Sequence, residues 1–163
     1  MAPPNRKGVQ METGKIVDRK FVLSIMDRLK FFSRLSLQEK EMLVQFHQNF
    51  AIYKAGETPV KEGEGDASFF IILSGRVFVT KGKDQRKLAK LEPGEFFGEI
   101  SFLTRKPRTA TVTADEDTIV LKVDETMLEK LEASTREKIK DNITEKLIER
   151  LIYMNNVFES LSV

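Results

Sequence analysis

The residues best suited to chemistry in this sequence lie in one short stretch, which reads FFGEISFLTRKPRTATV and spans residues 96–112. Glu99 supplies a carboxylate, which only accepts hydrogen bonds and therefore suits a hydroxyl donor. Nine residues later Arg108 supplies a guanidinium, whose planar fork suits a phosphate. A site that combined these two groups would be a receptor for a sugar phosphate.

The residues between Glu99 and Arg108 predict a short helix whose first turn is open to a ligand. Gly98 has no side chain, so a ligand can approach the backbone there. Residues 100–103 suffice for about one helical turn, and the Lys106–Pro107 pair ends it. The first N–H groups of a helix have no intrahelical partner and favour an anion. The stretch therefore predicts a phosphate held by backbone amides and by an arginine.

This stretch resembles the phosphate-binding cassette of cyclic nucleotide-binding domains. The family includes bacterial catabolite activator proteins, regulatory subunits of cyclic-AMP-dependent kinase and cyclic-nucleotide-gated channels. The run FFIILSGRV also matches the family's usual segment before the cassette, and the resemblance extends from Leu29 to the terminal helices. It implies that Glu99 binds the ribose 2′-hydroxyl and that Arg108 binds the cyclic phosphate. The ligand-contacting residues that it implies are Phe97, Gly98, Glu99, Ile100, Ser101, Arg108, Thr109 and Ala110.

The same resemblance implies the identity of the ligand and the place of its base. The expected ligand is cyclic AMP or cyclic GMP, and neither a cofactor nor a metal is expected. In cyclic-GMP-selective relatives a threonine at the position of Thr109 bonds the guanine amino group, but this hydroxyl could equally serve the phosphate. The expected base contacts are Phe78, Leu91, Ile148, Leu151 and Ile152, with Arg150 as an alternative on the last helix.

Composition and charge exclude several other classes of protein. Hydrophobic residues make up 40% of the 163 residues and charged residues 32%, which is the profile of one globular domain. A formal net charge of +2 argues for neither nucleic acid nor a membrane as a partner. Cysteine is absent, no apolar run is long enough for a bilayer, and MAPPNRKG lacks the apolar core of a signal peptide. We therefore expect a cytoplasmic protein.

No motif in the sequence points to catalysis. A metal-dependent jelly-roll enzyme of the cupin type needs several histidines, whereas this chain has only His47. It has no nucleophile elbow, Walker loop or kinase signature, and no second catalytic group lies near Glu99 in the sequence. We therefore expect a protein that is not an enzyme. DNA binding by this chain alone is not expected either, because a helix-turn-helix domain would have to follow the last helix.

The first 48 residues predict a tail and then helices. Residues 1–14 carry two prolines and little apolar content, which is typical of a disordered tail. Residues 15–48 have a helical hydrophobic period, and Ser36 and Glu39 predict a capping box at the start of a second helix. These helices either repack when ligand binds, as the resemblance implies, or simply cover one end of a barrel.

Residues 49–123 predict the β part of the fold. Strands recur roughly every 8–12 residues with turn residues between them. Ser74–Gly75 predicts a two-residue hairpin loop, and Pro93–Gly94 predicts a type II turn just before the cassette. The predicted fold class is α+β, mainly β: an antiparallel β-roll of the jelly-roll type with about eight strands, flanked by helices.

Residues 124–158 predict a C-terminal lid of two helices. A short helix around 127–131 is followed, after an interruption at 133–135, by a long helix with two adjoining apolar strips. The resemblance implies that the long helix caps the base and, in many relatives, pairs two subunits, so a homodimer is one expectation. A single broad strip that packs only on the roll is at least as compatible with the sequence.

Two classes of function remain after these exclusions. The first is a sensor in which residues 15–158 form one cyclic nucleotide-binding domain that signals through its terminal helices to an unidentified downstream protein. The second is a nucleotide-independent interaction or scaffold module of the same fold. Degenerate members of the family usually lose the glutamate or the arginine, and this chain keeps both Glu99 and Arg108. The sequence therefore favours the sensor.

Overall fold

A computed structural model describes residues 9–10 and 19–162 of the chain. The helices are α1 (Arg19–Arg28), α2 (Leu37–Val44), α3 (Glu99–Thr104), α4 (Glu125–Glu129) and α5 (Ala133–Leu161), with short 3-10 helices at Lys30–Phe32 and His47–Asn49. The strands are β1 (Val9–Gln10), β2 (Phe50–Tyr53), β3 (Phe69–Ser74), β4 (Val77–Lys81), β5 (Arg86–Leu91), β6 (Phe96–Phe97), β7 (Thr111–Ala114) and β8 (Thr118–Val123).

The strands form two sheets that pack against each other. One sheet has the order β1-β2-β8-β3-β6 and the other the order β5-β4-β7, and all of these pairings are antiparallel. A buried cluster that includes Tyr53, Val77 and Val112 joins the two sheets. Helices α1 and α2 lie between β1 and β2, and helices α4 and α5 follow β8. The predicted α+β fold with an antiparallel β-roll and flanking helices is confirmed.

Strand β3 explains why the sequence has an unbroken apolar run at this point. Phe69, Ile71 and Leu73 belong to the cluster that the helices share with the first sheet, whereas Phe70 and Ile72 belong to the cluster between the sheets. Side chains of a strand alternate between its two faces, and both faces of β3 are covered. The strand is therefore apolar at every position from 69 to 73.

The N-terminal helices are attached to α5 through polar contacts at Glu39. The predicted capping box is confirmed: the Ser36 N–H donates to the Glu39 carboxylate at 3.0 Å, and the Glu39 N–H donates to Ser36 Oγ at 3.1 Å. The same carboxylate accepts from Thr135 Oγ1 at 2.6 Å and from Lys138 Nζ at 2.7 Å. One residue therefore begins α2 and joins it to the first turns of α5.

The predicted hairpin at Ser74–Gly75 is wrong. Strand β3 pairs with β6 and β8, and β4 pairs with β5 and β7, so the chain crosses here from one sheet to the other. Gly75 has a φ of +90°, and a Cβ on it would lie 2.5 Å from the Asp117 carbonyl oxygen. By contrast, the turn at Pro93–Gly94 is present, with Gly94 at a φ of +89°.

The ends of two other predicted segments also differ. Val9–Gln10 pairs with β2, so this part of the predicted tail is a strand, while the rest of residues 1–14 and the predicted helical residues 15–18 lie outside the described residues. Helix α5 begins at Ala133, so residues 133–135 start the helix rather than interrupt it. The Thr135 hydroxyl bonds to Glu39 there and does not compete with the helix. Along the described part of the chain, no helix is both long and apolar enough to cross a bilayer.

Candidate functional site

A cavity of about 290 Å³ lies beside the 96–112 stretch. One wall comes from the second sheet, one from the segment that contains α3, and one from the residues that lead into β7. Its lining residues are Val60, Val79, Ala89, Leu91, Phe96, Phe97, Gly98, Glu99, Ile100, Ser101, Arg108, Thr109, Ala110, Val112 and Arg150. All eight residues expected to contact the ligand therefore lie at one cavity.

Gly98 allows the chain to turn into α3 at the cavity. It has a φ of +83° and precedes the first helical residue, Glu99. A Cβ on Gly98 would lie 2.7 Å from Arg108 Nη1, which is closer than the two atoms could approach. Glycine is therefore favoured at this position both by the backbone conformation and by the neighbouring guanidinium.

Arg108 is a buried cation held by three acceptors. Its Nη1 donates to the Gly98 carbonyl oxygen at 2.9 Å, and its Nη2 lies 3.1 Å from Asp66 Oδ2 and 3.3 Å from Ser68 Oγ. The backbone explains this proximity, because the Arg108 N–H donates to the carbonyl of Glu64, close to Asp66 in the loop before β3. No periodic pattern in the sequence marks Asp66, and sequence reasoning missed it.

Asp66 is ionised beside this cation. Burial raises the pKa of Asp66, but hydrogen bonds from Ser68 and the positive charges of Lys122 and Arg108 outweigh that effect and hold it below its ordinary value. The Lys122 ammonium lies 3.7 Å from Asp66 Oδ2. The cluster therefore contains two cations and one anion, and its net positive charge lies next to the cavity.

Glu99 is buried at the start of α3 and is contacted from the last helix. Arg150 Nη1 donates to Glu99 Oε1 at 3.2 Å, and Arg150 Nη2 donates to the Phe96 carbonyl oxygen at 3.4 Å. The Arg150 guanidinium also lies 4.9 Å from the centroid of the Phe96 ring. Of the α5 residues that were expected to contact the base, Arg150 is therefore the one that lies at the cavity.

Most of the expected base contacts are not at the cavity. Leu91 lines it, but Phe78 does not, because side chains alternate along β4 and the neighbouring Val79 takes the inward position. Ile148, Leu151 and Ile152 are 51%, 59% and 54% exposed. Successive residues of a helix are about 100° apart, so the turn of α5 that directs Arg150 inward leaves these three outside.

The described residues offer no metal site. No group of three or more histidine, cysteine, aspartate or glutamate side chains is arranged to hold an ion within them. His47 lies in the 3-10 helix before β2 and is not among the cavity residues. The site thus combines an arginine, a carboxylate and backbone amides around a partly apolar cavity, which suits an organic phosphate.

These features define a class of protein, a β-roll domain with a cavity lined by an arginine, a carboxylate and a short helix. The family model described as "Cyclic nucleotide-binding domain" matches residues 51–134, which is just over half of the chain and includes the cavity stretch. The chain belongs to this family.

Several relatives show how the chain compares with longer proteins. It is 32% identical over 116 residues to a cGMP-dependent protein kinase of Toxoplasma gondii, across 70% of this chain and 11% of that protein. It is 42% identical over 93 residues to a cAMP-dependent protein kinase regulatory subunit of Debaryomyces hansenii, across 56% and 20%. The chain thus spans roughly a tenth to a fifth of these relatives' length. The crystal structure of Thermus thermophilus catabolite activator protein is similar with a TM-score of 0.68 and 27% identity, across 81% of this chain and 62% of that one.

Proposed function

We propose that this domain binds cyclic AMP or cyclic GMP in the 290 Å³ cavity and acts as a regulatory module with no catalytic activity of its own. The observation that carries the proposal is the buried Arg108 guanidinium at one edge of the cavity, with the Glu99 carboxylate lining the same cavity. Membership of the family supports it, as do relatives named for dependence on each of the two nucleotides.

The contacts of these two side chains leave capacity for a ligand. The Arg108 side chain donates hydrogen bonds to the Gly98 carbonyl and the Ser68 hydroxyl and forms an ion pair with Asp66, so N–H groups not bonded to Gly98 or Ser68 would be available to the cyclic phosphate. The amides at the start of α3 would supply further donors to the same phosphate. Arg150 occupies Glu99 Oε1, and Oε2 would accept from the ribose 2′-hydroxyl.

The proposal extends to domain organisation and location. We propose residues 15–158 as one cyclic nucleotide-binding domain, because one buried cluster joins α1, α2 and α5 to the first sheet. Binding would be relayed through the terminal helices to a downstream protein. A cytoplasmic location is part of the proposal and is supported by the lack of cysteine.

Calorimetry with each nucleotide tests the proposal. Hydrogen bonds to a charged group contribute about 1.5–3 kcal/mol, so Arg108→Ala should weaken nucleotide binding at least about tenfold. Arg76→Ala is the matched control, because Arg76 pairs with Asp115 at 2.8 Å and is not among the cavity residues. Unchanged affinity in Arg108→Ala would contradict the phosphate assignment. If the wild type bound neither nucleotide, the scaffold function would be favoured instead.

We also propose that the C-terminal half of α5 pairs with a second copy of the chain. Its apolar residues Leu147, Leu151, Met154, Phe158 and Leu161 are spaced alternately by four and three, which is the pattern of a coiled-coil seam. The last four of them are exposed in the single chain. In sedimentation velocity, Phe158→Glu should convert a dimer to a monomer, whereas Asn156→Glu, outside the stripe, should not. A wild-type monomer at high concentration would contradict the pairing.

A further inference from the structure

The turn between β4 and β5, together with most of β5, carries a concentration of positive charge. Residues 81–90 read KGKDQRKLAK, with five basic residues and one acid, Asp84. Every one of these residues is exposed. The net charge of this segment is +4, whereas that of the whole chain is +2, so the rest of the chain is slightly acidic. We refer to residues 81–90 as the basic hairpin.

The charges of the basic hairpin are not compensated within the protein. Lys87 lies 5.3 Å from the centroid of the Phe78 ring, and the nearby carboxylate of Glu62 accepts from the backbone N–H of Gly82 at 3.0 Å. Uncompensated cations that lie close together attract an anionic partner. Within the part of the chain that the structure describes, no ion pair involves any of the five basic side chains: Lys81, Lys83, Arg86, Lys87 and Lys90.

Strand β5 also forms an open edge of its sheet. The order of this sheet is β5-β4-β7, and in the described residues β5 pairs with β4 alone. The opposite edge is covered, because the N–H of Val112 in β7 donates to the Val60 carbonyl oxygen at 2.8 Å. No such bond reaches residues 86–91 from another described segment. The outward N–H and C=O groups of β5 are therefore available to a further strand.

The open backbone edge and the positive charge together select the kind of occupant. Basic residues on an edge strand oppose pairing with a second copy, because two basic hairpins would then meet. A lipid surface or a nucleic acid would balance the charges but would leave the backbone groups of β5 without partners. Insertion into a membrane is also disfavoured, since Leu88, 53% exposed, is the only large apolar side chain in the hairpin. An extended acidic polypeptide satisfies both the charges and the backbone.

We propose that β5 is a docking edge for an acidic, extended segment of a partner protein. The segment adds a strand next to β5, and its carboxylates pair with the side chains of the basic hairpin. Ala89 and Leu91 of the same strand line the cavity, so the docked segment lies close to the cavity wall. Docking at this edge does not require a nucleotide and can be measured on the ligand-free protein.

Fluorescence anisotropy with a short labelled peptide of alternating glutamate and valine tests the docking edge. The wild type should bind it at least about tenfold more tightly than the same peptide with glutamine in place of glutamate. Lys87→Glu/Lys90→Glu should weaken binding of the acidic peptide at least about tenfold, because each reversal removes an attraction and adds a repulsion.

The matched control for this titration is Lys130→Glu/Lys140→Glu. It makes the same change in net charge at exposed positions after α4 and on α5, and the acidic peptide should bind it as tightly as it binds the wild type. Equal affinity of the wild type for the two peptides would overturn the proposal. So would equal affinity of the wild type and Lys87→Glu/Lys90→Glu for the acidic peptide.

Hydrogen exchange of the wild type distinguishes an added strand from a loose charge contact. With the acidic peptide bound, the amides of residues 86–91 that do not bond to β4 should exchange at least about tenfold more slowly. The amides of β7, on the covered edge, should not change. If the peptide protects no amide of β5, the docking edge is wrong. If vesicles of phosphatidylserine and phosphatidylcholine or a single-stranded oligonucleotide bind the basic hairpin and the acidic peptide does not, the proposal is also overturned.

Discussion

Glu99 and Arg150 place a charged contact at the proposed ribose site. The carboxylate offers two oxygens, and the helix arginine uses one of them at 3.2 Å. A ribose hydroxyl that binds the other oxygen would not have to displace Arg150. The nucleotide and the last helix would then share a single side chain, and both contacts would depend on its charge and orientation.

Glu99→Gln should weaken nucleotide binding less than Arg108→Ala does, because the amide oxygen still accepts a hydrogen bond from the 2′-hydroxyl. The wild type should bind a 2′-deoxy cyclic nucleotide roughly 10- to 100-fold more weakly, the range expected for the loss of one hydrogen bond to a charged group of about 1.5–3 kcal/mol. Competition titrations of both ligands measure this. Equal affinity for the deoxy nucleotide would show that Glu99 does not contact the ribose.

For individual residues, the sequence alone located the site residues that lie in one continuous motif. It did not predict the residues that contact this motif from distant parts of the chain. Glu99 and Arg108 lie in one short stretch, so their spacing alone suggested a common site. Asp66 reaches Arg108 only because the backbone of the loop before β3 pairs with the backbone of Arg108. Phe78 was predicted as a base contact, whereas Val79 lines the cavity, because a strand pattern does not show which face is internal until the pairing of the sheets is known.

Among the elements, α2 and α5 meet at a carboxylate whose ionisation contributes to stability. Burial raises the pKa of Glu39, but hydrogen bonds from Lys138, Ser36 and Thr135, with the Lys138 charge, outweigh it and lower the pKa from 4.5 to about 2. A pKa that is lower in the folded than in the unfolded state contributes stability that is complete above the unfolded value. That contribution is lost as the pH falls from about 4.5 towards 2.

Glu39→Gln should therefore lower the melting temperature at pH 7, and the difference from the wild type should shrink steadily below pH 4.5. Partial exposure reduces the contribution to about 1–2 kcal/mol, which corresponds to roughly 2–8 °C for a domain of this size. Glu41→Gln is the control on the same helix, where Glu41 makes an exposed ion pair with Arg19 at 3.7 Å. A difference that stays constant down to pH 2.5 would show that the charge of Glu39 is not involved.

The sequence predicted the order and type of the helices and strands better than it predicted how the strands are connected and paired. Helical and strand periods located the N-terminal helices, the strands and the C-terminal helices, because burial on one face leaves a repeating pattern. Ser74–Gly75 has the composition of a hairpin loop, yet the same residues serve a crossing between sheets, because local turn chemistry does not specify the partner strand. The serine and threonine at 134–135 predicted a break in the helix, but a bond to Glu39 from a distant helix satisfies the threonine.

In the whole molecule, helix α5 connects the cavity to the N-terminal helices, through which we propose that binding is relayed. It contacts α2 through Thr135 and Lys138, the 3-10 helix at residues 30–32 through Asn142, and the cavity through Arg150. Beyond the cavity the helix continues to Leu161 with its apolar side chains exposed. A change in the Glu99–Arg150 contact can therefore be transmitted to the N-terminal helices and to the exposed end of α5 through one continuous helix.

Hydrogen exchange along α5 should change when the nucleotide binds. A ligand shifts a conformational equilibrium only by its different affinity for the two states, and the Glu99–Arg150 contact gives the nucleotide a direct influence on this helix. Exchange of the amides in residues 143–154 should differ between the free and bound states, while β8, buried in the first sheet, should change little. Arg150→Ala should remove most of the difference in α5 but retain nucleotide binding, since Arg108 and the α3 amides remain. Identical exchange along residues 135–158 in both states would exclude the helix as the route by which the signal leaves the domain.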